Sequence, residues 1–144
     1  MKVRPWTYTL PVLSVCFLIL GFISIVGIIG HWHFGQDIPW LFAAYAAMNL
    51  LLGVGFWKRE RWVLTAVGLN WAAYTTLYFG LWVWGGDVNL MRVTVSTAVA
   101  GGIWGLVYLH RRYLVDTRLQ IVGAAFFIIW IFVYSLTLFT SIVL

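Results

Sequence analysis

The chain has 144 residues, of which 63% are apolar, 19% aromatic and 9% charged, with a mean hydropathy of +0.95. A soluble domain carries roughly 25% charged and about 45–50% apolar residues, so a water-soluble globule, a disordered chain and a nucleic-acid reader all fit poorly. The formal net charge of +5 sits on few residues, which in so apolar a chain read as topology signals rather than as a patch for an acidic partner.

Crossing a bilayer core takes about 20 apolar residues in a helix, and the sequence divides into five such stretches. These are 10–30, 39–57, 63–84, 93–110 and 119–143, none containing Asp, Glu, Lys or Arg. Lipid offers no partner for backbone N–H and C=O groups, so spans of this length close their hydrogen bonds as helices. The expected fold is all-α: one polytopic transmembrane bundle of five helices with no soluble domain. The first stretch follows Lys2 and Arg4 like a signal peptide, but its apolar run is too long and lacks a small-residue cleavage site. It is expected to remain as the first helix. Val15 before Cys16 argues against lipoprotein processing, and a lone Cys gives no intramolecular disulfide.

The connections 31–38, 58–62, 85–92 and 111–118 carry an uneven charge. Lys2, Arg4, Lys58, Arg59, Arg61, Arg111, Arg112 and Arg118 fall on one side and Arg92 alone on the other. The positive-inside rule then puts the N terminus in the cytoplasm and the C terminus outside. Tryptophans are placed to match: Trp6, Trp57 and Trp62 at the inner interface, and Trp32, Trp40, Trp82 and Trp84 at the outer one, as in aromatic belts. Trp71, Trp104 and Trp130 fall inside spans, where helix packing is the favoured reading and a wall for a flat apolar ligand the sharper one.

Polar residues are concentrated on spans two and three. Asn49 lies 11 residues before Glu60 and Asn70 lies 10 after it, which at 1.5 Å per residue puts both roughly 15–17 Å above the turn. Tyr45 and Tyr74 stand four residues further out, each on the same helical face as its asparagine. If the faces meet, the two amides bond across an antiparallel hairpin as a clamp. The alternative is a small polar pocket at the midplane.

Small residues mark two more faces: Gly21, Ser24 and Gly27 on span one, and Thr97, Gly101 and Gly105 on span four. Such faces let backbones approach within the bundle or against partner subunits. His31 and His33 with Asp37 form a weak outer metal candidate, an incomplete ligand set read as interfacial histidines; no metal or other cofactor is expected. Lys58, Arg59 and Arg61 with Arg111 and Arg112 form basic clusters that topology explains and that would also attract anionic lipid heads.

Motifs for acyl transfer, phosphoryl transfer and glycoside hydrolysis are missing from the sequence, and the spans lack the charges that coupled transporters use. The sequence therefore points to a small non-catalytic protein of a prokaryotic cytoplasmic membrane, an accessory or assembly subunit or a lipid-interacting scaffold. The expected partners are membrane lipids and other membrane subunits or further copies, not nucleic acid. The alternatives are a homo-oligomeric facilitative channel or carrier for a small or apolar solute, and a membrane anchor for an enzyme or electron-transfer complex with a bound cofactor.

Overall fold

The computed structural model describes residues 8–35, 40–83, 89–116 and 120–143, excepting the side chains at 41, 81, 92, 120 and 137–143. Five α-helices account for nearly all of them: α1 Thr9–His33, α2 Trp40–Trp57, α3 Trp62–Val83, α4 Leu90–Leu109 and α5 Gln120–Val143. A 3-10 turn, Arg111–Tyr113, follows α4. The bundle is all-helical, as expected. Trp6, Trp84, Asp37, Asp87, Lys2, Arg4 and Arg118 lie outside the described residues.

Most helix bounds fall within one residue of the sequence reading, but two differ usefully. At its C-terminal end α1 runs three residues further, so His31 and His33 stand on its last turn and not in a loop. It ends where Gly35 takes φ +66 and donates its N–H to the Trp32 carbonyl, the left-handed exit that glycine adopts without strain. At the other difference, α4 starts at Leu90 and takes Arg92 into its first turn, because the Asn89 carbonyl already accepts the Val93 N–H at 3.0 Å.

By length and apolarity, α1 is the one described helix clearly fit to cross a membrane. Among the residues whose side chains are described, α2, α4 and α5 present the apolar stretches Phe42–Trp57, Val93–Leu109 and Ile121–Leu136. Within α3, Thr65, Asn70, Thr75 and Thr76 dilute the apolar run along with its Tyr, Trp and Gly residues.

Packing follows the order of the chain in part and departs from it between α2 and α3. Extensive contact joins α1 to α2, then α3 to α4 and α2 to α5, whereas α2 and α3 touch only sparsely. Glycines explain the choice. A Cβ on Gly21 would lie 2.7 Å from the Leu50 side chain, and one on Gly53 2.6 Å from Leu18, so α1 and α2 each seat a leucine in the other's glycine notch. Ser14, fully buried, donates from Oγ to the Gly53 carbonyl at 2.6 Å on the same seam. On the second seam Trp104 lies over Gly68 and Trp71 over Gly101, and the two indoles stack at 5.8 Å and 13°. Between α2 and α3 the close approach is at the turn, where Gly55 meets Val63 and Trp62.

Candidate functional site

Above that turn the poorly paired α2 and α3 leave a cavity of about 340 Å³ that all five helices line. Asn49 stands eight residues before the end of α2 and Asn70 eight after the start of α3, so both lie about 12 Å along their helices from the turn. Their side chains, with those of Tyr45 and Tyr74, line this one space. Yet no hydrogen bond joins the two amides, and neither has a partner among the described residues. The helices that would have to close a clamp are held apart by their better fits to α1 and α4.

Aromatic rings form much of the wall. On α3, Tyr74 and Tyr78 pack at 4.4 Å between ring centres, and Trp71 lines the cavity while stacking on Trp104. On α5, Trp130 and Tyr134 stack at 5.4 Å with nearly parallel planes. Phe17 reaches the cavity from α1. Trp71 thus combines packing with wall, the two roles that the sequence left as alternatives. Its Nε1 is buried without a hydrogen-bond partner, as is Oγ1 of Thr97, one turn before Gly101. Trp130, read from the sequence as packing or wall, also lines the cavity, whereas the contributions of Phe17 and Tyr134 were invisible in the sequence, since they depend on which helices α2 and α3 leave uncovered.

The turn end is built differently. Arg59 has φ +57; the Glu60 N–H donates to the Gly55 carbonyl and the Arg59 N–H to that of Phe56. This is a Schellman exit with arginine where glycine is usual. The segment after α4 docks on it: the Val115 N–H donates to the Arg59 carbonyl at 2.7 Å and the Arg61 N–H to the Val115 carbonyl at 3.1 Å. That docking helps bury Glu60 completely. One carboxylate oxygen accepts from Nε1 of Trp62, and the other has no partner. Trp62, expected in an interfacial belt, is wedged between Gly55 and Gly123 and against Phe126. Trp32, Trp40, Trp57 and Trp82 are exposed near the helix ends.

Lys58, Arg59, Arg61, Arg111 and Arg112 are all exposed at this same end. Arg61 pairs with Asp116 at 2.7 Å, and the Arg111 guanidinium lies 4.0 Å over the Tyr108 ring. His110 is buried, with Nδ1 2.6 Å from the Leu106 carbonyl. At the opposite end His31 leans toward Phe42 while His33 is exposed beside Phe34, so the two histidines diverge as an i, i+2 pair on a helix must.

Of the small-residue positions, Gly21 and Gly101 seat neighbouring side chains, Ser24 bonds the Leu20 carbonyl of its own helix at 2.9 Å, and a Cβ at Gly27 or Gly105 would meet nothing within 4 Å. Chemically, the cavity is a neutral, largely aromatic space with two unpaired carboxamides. No family model matches the chain, and no curated protein or solved structure is significantly similar to it.

Proposed function

We propose that this protein is a non-catalytic integral membrane protein that crosses the bilayer five times and interacts with lipid, serving as an accessory or scaffold subunit in a prokaryotic cytoplasmic membrane. In this reading the basic end is cytoplasmic. The observation that carries it is the apolar exterior: Phe22, Ile23 and Val26 on α1, Val99 on α4, and Ile128 and Phe132 on α5 are all exposed. A soluble bundle turns such side chains inward and covers its outer face with charge, whereas a helix that is apolar all round belongs in lipid. Helix lengths of 18 to 25 residues agree with a core about 30 Å thick. The basic end supports the orientation, because five exposed cations gather there at the level where anionic heads attract them.

The cavity favours lipid interaction over a purely assembling role. Packing of Phe56, Trp62 and Phe126 across the basic end argues against a pore through one copy. Purification in mild detergent, followed by intact-complex mass analysis and an absorption spectrum, tests the proposal. Recovery with other membrane subunits and bound lipid is the expected result. A discrete homo-oligomer with solute uptake would replace it with the carrier reading, and a visible chromophore with the cofactor-bearing anchor.

A further inference from the structure

The cavity between α2 and α3 is specific enough in its chemistry to indicate an occupant, given the membrane-spanning reading. Among the described residues its lining contains no Asp, Glu, Lys, Arg or His, so an ionised ligand would meet no counter-charge from them, which burial penalises heavily. The occupant is therefore neutral. An aromatic lining that includes Trp71, Tyr74, Trp130 and Tyr134 suits a planar conjugated ring, which gains from offset or edge contacts with aromatic side chains. A volume of about 340 Å³ lies near the lower limit of small-molecule sites, roughly 300–1,000 Å³. It suits a head of one or two fused rings better than a large macrocycle.

Asn49 and Asn70 supply the specificity. They come from different helices, at matching depth, and neither has a protein partner among the described residues. A carboxamide donates through Nδ2 and accepts through Oδ1, so a pair of them can serve ring carbonyls by donating and ring hydroxyls by accepting. A sterol offers one hydroxyl at the end of a saturated ring system, and an acyl chain offers no hydrogen-bonding group at mid-bilayer depth. We propose that the cavity binds the ring of an isoprenoid quinone, holding its oxygens between Asn49 and Asn70 with the prenyl tail in lipid.

The test uses the full chain in phosphatidylcholine nanodiscs, titrated with a naphthoquinone bearing one isoprene unit and followed by quenching of tryptophan fluorescence. Saturable quenching is expected, and Asn49→Leu or Asn70→Leu should each weaken the affinity about tenfold, the loss of roughly one buried hydrogen bond. Arg61→Ala, far from the cavity, should bind as the parent does. Circular dichroism of each variant checks that the helices remain. Non-saturable quenching, equal affinity in the folded double variant, or preferential retention of a cholesterol probe over the quinone would each overturn the proposal. An alkaline wash of the source membranes separates the two levels: protein released by the wash refutes the membrane reading itself, whereas retained protein without quinone binding refutes only the ligand.

Discussion

The basic end and the middle of this bundle solve the problem of polar groups in opposite ways. At the end, the turn after α2 and the segment after α4 pair their backbone groups, Trp62 fills the gap between two glycines, and an indole N–H meets one oxygen of the buried Glu60. At mid-height, two carboxamides at equal depth face a shared space and bond nothing described. One region is packed to hold the helices together; the other is kept open by helices that fit better elsewhere. Polarity alone does not distinguish them, since both contain buried polar atoms. The difference lies in whether a neighbour fills the space beside those atoms.

Breaking the packed end should have the largest effect. Trp62→Ala removes the wedge between Gly55 and Gly123 and is expected to lower the unfolding free energy by about 2–4 kcal/mol, read by denaturant titration in detergent. Next comes the α3–α4 seam: Gly68→Val would push directly on the Trp104 indole and cost about 1–3 kcal/mol through overpacking. The same change at Gly105, which faces open space, should have little effect in that titration. A smaller loss, about 1 kcal/mol, is expected for Ser14→Ala, which deletes the bond to the Gly53 carbonyl and should show as a lower Tm. Arg59→Gly should act the other way. Relieving a left-handed arginine is expected to stabilise the turn by up to about 1 kcal/mol, provided that the Val115 contact with its carbonyl persists.

The sequence made some of this contrast legible. Five apolar stretches separated by charged turns gave the helices to within a residue or so at most ends, because helix bounds follow where apolar runs stop. The shared depth of Asn49 and Asn70 followed from the fixed rise of a helix, and that put them at one level. Whether they touch was beyond it, since chain neighbours need not be packing partners; Leu50 on Gly21 and Trp71 on Gly101 draw α2 and α3 apart. The burial of Glu60 was also hidden, for in sequence it is one carboxylate among basic residues, and its cover comes in part from the Trp62 indole and the docked 111–116 segment. Small-residue stripes were half informative. A glycine shows where a neighbour could approach, as at Gly21, but not whether one does, as at Gly27.

The central claim is that Asn49 and Asn70 serve an occupant rather than the fold. Its most direct test is the stability of the Asn49→Leu, Asn70→Leu double variant, measured by denaturant unfolding in detergent stripped of native lipid. A cavity without an amide-to-amide bond predicts an unfolding free energy within about 0.5 kcal/mol of the parent, or higher, because two unpaired polar groups are replaced by apolar ones of similar size. A loss greater than about 1.5 kcal/mol would mean that the amides hold α2 and α3 together, and would contradict the account.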